Sequence, residues 1–286
     1  MVMFKSLFVN LSLIIAKFIG GFLFRSAGLI ADAVHSFSDF LSDVMIIIGL
    51  RHSNKPPDSE HPIGHGKIEY ILSLFLGVSI LFMAYRLTVS LIAGLGEAPM
   101  VPRLAAIFVS LGVITVKLVL ARYITVKAVE LESQALSASG RESYADVLGS
   151  VIVIIGIVIG VIGDNYDLPL LVYGDTAAAF IIVTLVIRVA IVVIHDAIQS
   201  LMGQSASEPV LKKTREKAES VDGVISVDKL TMIVYGHYYQ VMVDIRVDGT
   251  LSVDEGHEIA RNVKKELEKN KKIGHVIVHV NPEVES

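Results

Sequence analysis

The sequence predicts an all-α bundle of six membrane-spanning helices followed by a C-terminal α+β domain. Three observations carry this. Mean hydropathy is +0.63, with 53% hydrophobic and only 19% charged residues among 286, against about 45–50% and about 25% in soluble domains. Long apolar runs recur as far as Leu201. From Glu208 onward the chain carries 12 Lys and Arg and 14 Asp and Glu, nearly half of all its charged residues. The same figures exclude other classes. With no cysteine there is no disulfide scaffold or cysteine-based zinc finger. A net charge of -4 and a pI near 6.1 give no footprint for nucleic acid.

A span needs about 20 mostly apolar residues. The runs that qualify cover 4–24, 27–50, 68–93, 102–123, 138–162 and 175–201. The second and fifth carry the most polar residues. The first is too long for a signal-peptide core and lacks a small-residue cleavage site, so no cleaved leader is expected. We place the membrane domain at 1–206 and the second domain at 207–286.

In the second domain, Glu208–Ser220 reads as a charge-rich amphipathic helix. Residues 224–234 and 239–247 are rich in β-branched residues, with Tyr235-Gly236-His237 as the turn between them. Ser252 and Glu255 form a capping-box pattern that opens a helix running to about Lys269. Residues 275–280 form a third strand, which Pro282 is expected to stop. Helix, two strands, helix and strand make a small α+β domain with helices on one sheet face.

Lys and Arg set the orientation. Arg51, Lys55 and Lys67 lie between spans two and three, and Arg122, Lys127 and Arg141 flank the connection of spans four and five. The alternate connections hold Arg25, Arg103, and no basic residue in 163–174. The second and fourth connections therefore face the cytoplasm, and both termini with them.

Ionisable residues inside spans are expensive and usually functional. Span two carries Asp32, His35, Asp39 and Asp43; span five carries Glu142 and Asp146. His35 and Asp39 share one helical face, roughly 6 Å apart along the axis, as do Glu142 and Asp146. Two helices that each present such a pair close four N and O ligands around one divalent cation, Zn²⁺, Fe²⁺, Co²⁺ or Mn²⁺. Asp32 and Asp43, each about one turn outside the pair, support the ligands or line the approach. Asn10, Lys17, Arg86 and Lys117 are read as buried groups that snorkel or pair with these carboxylates.

Two runs carry a family resemblance. The first is Arg25-Ser26-Ala27-Gly28-Leu29-Ile30-Ala31-Asp32-Ala33-Val34-His35-Ser36-Phe37-Ser38-Asp39. The second is Asp58-Ser59-Glu60-His61-Pro62-Ile63-Gly64-His65-Gly66-Lys67-Ile68-Glu69. With six spans and a charged α+β tail, the whole chain resembles the cation diffusion facilitator family of metal transporters.

The resemblance implies a homodimeric antiporter in the cell membrane with a metallochaperone-like cytoplasmic domain. It would export a divalent transition metal in exchange for protons by alternating access, and it would not be an enzyme. The metal would be substrate and regulator, with no organic cofactor. Its partners would be metal ions, protons, lipid and a second copy. His35, Asp39, Glu142 and Asp146 fall on the family's transport site. Asp58, His61 and His65 fall on its loop metal site. His257 and His279 match metal positions of the cytoplasmic domain. Asp228 and Asp244 stand where some members have His, and Asn281 where some have Asp. His237 and His275 read as plain surface residues.

Two departures matter. Glu142 stands where the family usually has His or Asp, which makes the set more oxygen-rich; His35 makes Zn²⁺ the first choice, with Mn²⁺, Fe²⁺ and Co²⁺ open. Gly203 stands where many members have an Asp that pairs with the Lys matching Lys67 at the hinge, so Glu208 is the substitute partner considered. Two other classes compete. A membrane metalloenzyme would need a metal-bound water and a general base, and no His-Glu-x-x-His run is present. A metal sensor would need no intramembrane ligands.

Overall fold

The computed structural model describes residues 2–53, 55–96, 101–130 and 134–283. Met1 and residues 284–286, at the outer ends of the two expected domains, lie outside the described residues. Six long helices come first: α1 (Val2–Leu23), α2 (Ala27–Ser53), α3 (Ile68–Gly94), α4 (Ala105–Glu130), α5 (Gln134–Asn165) and α6 (Gly174–Leu201). Each contains a stretch long and apolar enough to cross a membrane. Phe8, Phe22, Phe82, Phe108, Val119 and Leu148 are exposed on them, a surface suited to hydrocarbon and not to water. Several helices outrun the expected spans: α4 continues to Glu130 and α5 starts at Gln134.

The chain forms two compact units, Met1–Val44 with Leu76–Val193 and Met45–Phe75 with Ile194–Ser286. Within the first, the tight link between α1 and α2 sets the depth of α2. Arg25 takes a positive φ of 56° there. Ser26 then caps α2, its hydroxyl accepting from Leu29 N–H at 3.1 Å. Asp175, at the start of α6, completes the cap. It accepts from Ser26 Oγ at 2.8 Å, Ala27 N–H at 2.6 Å and Gly28 N–H at 3.2 Å. A Cβ at position 28 would lie 2.7 Å from Asp175 Oδ1, so any side chain there would push the carboxylate out of the cap.

The second unit holds α7 (Glu208–Glu219), β1 (Ser226–Tyr235), β2 (Tyr238–Asp248), α8 (Val253–Glu268) and β3 (Ile273–Glu283). The sheet order is β1-β2-β3. β1 and β2 pair antiparallel through the Gly236-His237 turn, whereas β2 and β3 pair parallel. A parallel pair needs a crossover, and α8 supplies it. Alternation in β2 sends Val241, Val243, Ile245 and Val247 into a core with Met232, Val263, Leu267 and Val276. Met242, Asp244 and Arg246 take the other face. The capping box of Ser252 and Glu255 is formed in both directions. Pro282 does not stop β3, which runs on to Glu283. β3 is an edge strand, where a residue without N–H is tolerated.

Candidate metal centre

In the first unit, α2 carries His35 and Asp39 one turn apart and α5 carries Glu142 and Asp146 likewise. Among the described residues, His35, Asp39 and Asp146 each offer a ligand atom, and these atoms lie within 4.8 Å of one another. His35 Nε2 is 3.9 Å from Asp39 Oδ2. Glu142 is not part of that group. It stands one turn away on α5 and lines the adjoining cavity with Asn10, Asp39, Asp43, Lys117 and Asp146. Of the four expected ligands, three converge and the fourth, Glu142, lines the adjoining cavity.

Asp39 Oδ2 is buried and has no hydrogen-bond partner. A desolvated carboxylate oxygen left bare is costly unless a ligand or proton meets it. Asp32 also has one buried oxygen, Oδ1, without a partner, but its other oxygen is engaged. It is fully buried, 2.8 Å from Lys17 Nζ, and accepts from Ser150 Oγ at 2.7 Å. Lys17 also donates to Ser36 Oγ at 2.8 Å. This pair ties α1, α2 and α5 together and holds the turn that carries His35. Lys117 is buried on α4, with Nζ 2.5 Å from Asp146 Oδ2 and 3.1 Å from Asn10 Oδ1. Arg86, read as buried, is exposed on α3.

In the second unit the 58–65 connection forms another cluster. Asp58, His61 and His65 offer atoms within 4.8 Å of one another. Asp58 Oδ1 accepts from His61 N–H at 2.7 Å and Glu60 N–H at 3.0 Å, which holds its carboxyl below the usual Asp value despite some desolvation. His65 Nε2 is 3.3 Å from Asp58 Oδ2, and His65 Nδ1 is buried without a partner. Two tyrosines clamp this segment, and a third holds the turn beside them. Tyr238 donates to Ile63 O at 3.0 Å, Tyr235 to Gly64 O at 3.3 Å, and Gly236 N–H donates to the Tyr70 hydroxyl at 2.6 Å.

The cytoplasmic-domain candidates do not form a three-ligand group among the described residues. Asp228 is engaged by Arg246 Nη2 at 3.0 Å and by Asn281 Nδ2 at 3.2 Å. Asp244 and His279 are register partners on the outer sheet face. His257 is exposed on α8. His237 is not plain surface: its Nδ1 lies 3.2 Å from Ser53 Oγ and 3.7 Å from Glu69 Oε1. His275 is exposed.

At the expected hinge residue, Lys67 Nζ donates to Leu201 O at 3.3 Å and sits 5.7 Å from the centre of the Tyr235 ring. Among the described residues it makes no ion pair with Glu208. Gly203 explains its own departure, with a φ of +90° that L side chains rarely adopt. The next residues join β1, through Ala206 N–H to Met232 O at 2.8 Å and Val234 N–H to Gln204 O at 3.0 Å.

A family model described as the cation efflux transmembrane domain matches residues 3–202, and one described as the cation efflux protein cytoplasmic domain matches 206–283. The chain belongs to the cation diffusion facilitator family. It is therefore an integral membrane protein of a family of metal efflux transporters. This family member is 28% identical to the manganese efflux system protein MneP of Bacillus subtilis, over 97% of this chain and 94% of that one. It is 30% identical to an uncharacterised transporter of Methanocaldococcus jannaschii, over 95% and 94%. It is 31% identical to the magnetosome protein MamM of Paramagnetospirillum magneticum, over 90% and 79%.

Three features of this cation diffusion facilitator were not legible as such in its sequence. They are the cap by Asp175, the tyrosine clamp on the loop, and the bond from Lys117 to a metal-ligand candidate. An ionisable residue in α4 was a signal for the last, but its partner was not.

Proposed function

We propose that this chain is a homodimeric antiporter that exports a divalent transition metal, Mn²⁺ first, from the cytoplasm in exchange for protons. Residues 1–206 form the transport domain and 207–286 the cytoplasmic domain, with both termini cytoplasmic in the cell membrane. The observation that carries the reading is the convergence of His35, Asp39 and Asp146 with a buried, unpartnered oxygen on Asp39. Metal and protons compete for the same lone pairs, so binding one releases the other. His35 is the residue type whose charge changes most readily near neutral pH.

One imidazole, from His35, with the carboxylates of Asp39 and Asp146 and two more from Asp43 and Glu142 on the adjoining wall, makes a hard, oxygen-rich surrounding that favours Mn²⁺ over softer ions. The printed role of MneP supports the same choice over Zn²⁺, which rests on His35 alone. Asp58, His61 and His65 form a lower-affinity regulatory site. Titration calorimetry of the purified full chain with Mn²⁺, Fe²⁺, Co²⁺ and Zn²⁺ tests the metal. In a His61→Ala/His65→Ala background, which removes the loop ligands, His35→Ala/Asp39→Asn is expected to lose the Mn²⁺ heat. An unchanged Mn²⁺ isotherm in that variant contradicts the site.

A further inference from the structure

We propose that Lys117 is a tethered cation that competes with the transported metal for Asp146 and so sets the affinity of the membrane site. The inference rests on the site reading above and concerns a residue outside its ligand set.

Lys117 comes from α4, while the ligand candidates come from α2 and α5. Its ammonium reaches Asp146 Oδ2 at 2.5 Å, and the carboxamide oxygen of Asn10 on α1 accepts a second bond at 3.1 Å. The residue is 4% exposed, so solvent does not screen the contact. Asp146 is the only α5 member of the three-ligand group described. An oxygen that already accepts from an ammonium is a poorer donor to a metal. A dication drawn to the same carboxylate also meets a fixed like charge at short range. Metal binding therefore requires that Lys117 give up Asp146 or that both cations share it. The four-carbon stem and three rotatable donors of lysine allow a small swing, and Asn10 Oδ1 keeps the ammonium partnered as it moves.

The charge balance points the same way. The cavity brings together four carboxylates, Asp39, Asp43, Glu142 and Asp146, with Lys117 as the cation on its wall. Without that cation the cluster would hold a dication tightly. A transporter must bind strongly enough to load and weakly enough to release. By contrast, Lys17 is committed to Asp32 and Ser36 and does not reach the ligand group.

The test is calorimetric Mn²⁺ binding to the full-length chain in a His61→Ala/His65→Ala background, which removes the loop ligands. Lys117→Gln, one bond shorter, keeps a hydrogen-bond donor but removes the charge; Lys117→Arg keeps the charge. The expected result is at least tenfold tighter binding in Lys117→Gln, about 1.4 kcal/mol, with Lys117→Arg within a few-fold of wild type. The gain should vanish when Lys117→Gln is combined with Asp146→Asn, which a general structural effect would not do. Asp39→Asn separates this inference from the site reading. If Asp39→Asn loses binding but Lys117→Gln binds as wild type or weaker, the competition is refuted and the site stands. If Asp39→Asn retains wild-type binding, the site falls and the competition with it.

Discussion

Asp39 Oδ2 lies 3.9 Å from His35 Nε2 and, though buried, accepts no hydrogen bond. Glu142 lines the cavity beside them without joining the ligand group. The two carboxylates should therefore respond differently to neutralisation. Glu142→Gln is expected to weaken Mn²⁺ binding by about 10- to 100-fold, the range for groups that support a ligand. Asp39→Asn should cost more. Equal losses in calorimetry would put Glu142 among the ligands.

Asp175 holds the start of α2 through Ser26, Ala27 and Gly28. Asp175→Ala leaves those donors buried without an acceptor and should cost about 2 kcal/mol. Asp175→Asn keeps one acceptor and should fall between. Thermal unfolding of the solubilised chain, followed by circular dichroism, reads both. A wild-type midpoint in Asp175→Ala would show that the cap does not matter.

Lys67 spends its hydrogen bond on the Leu201 carbonyl, at the negative end of α6. Removing Glu208 should leave the contribution of Lys67 intact. A double-mutant cycle of Lys67→Ala and Glu208→Ala on thermal stability should give no coupling. Coupling above about 0.5 kcal/mol would restore Glu208 as the hinge partner.

The amides of His61 and Glu60 hold the Asp58 carboxyl below its unfolded value. A depressed carboxyl contributes stability that is present above the unfolded value and lost as pH falls through the folded one. The loop around His61 should therefore keep its local structure somewhat below the usual Asp range, and Asp58→Asn should remove that acid transition. The His61 amide signal in NMR of the full chain follows it. A midpoint at or above the usual Asp value would contradict the bonding described.

The six spans and the three strands were legible because hydropathy and alternation are local, as in Val241, Val243, Ile245 and Val247. The capping box was legible because Ser252 and Glu255 are three residues apart. Pro282 was misread because its tolerance depends on β3 lying at the sheet edge, which is tertiary information. Four ligands were expected from two matched spacings. Spacing fixes which residues share a helix face, but not how two helices pack, and Glu142 stands outside the group of His35, Asp39 and Asp146. Partners distant in the chain are harder to read: an ionisable residue in a span marked Lys117 but not Asp146 as its partner, and nothing marked Tyr238 with Ile63.

The most direct test of the account is simultaneous flux in proteoliposomes that contain a metal-sensitive dye and a pH dye. The account predicts that Mn²⁺ and protons move in opposite directions through the wild-type chain, and that both fluxes are lost together in Asp39→Asn. Mn²⁺ movement without proton movement, or coupled fluxes that survive Asp39→Asn, would contradict it.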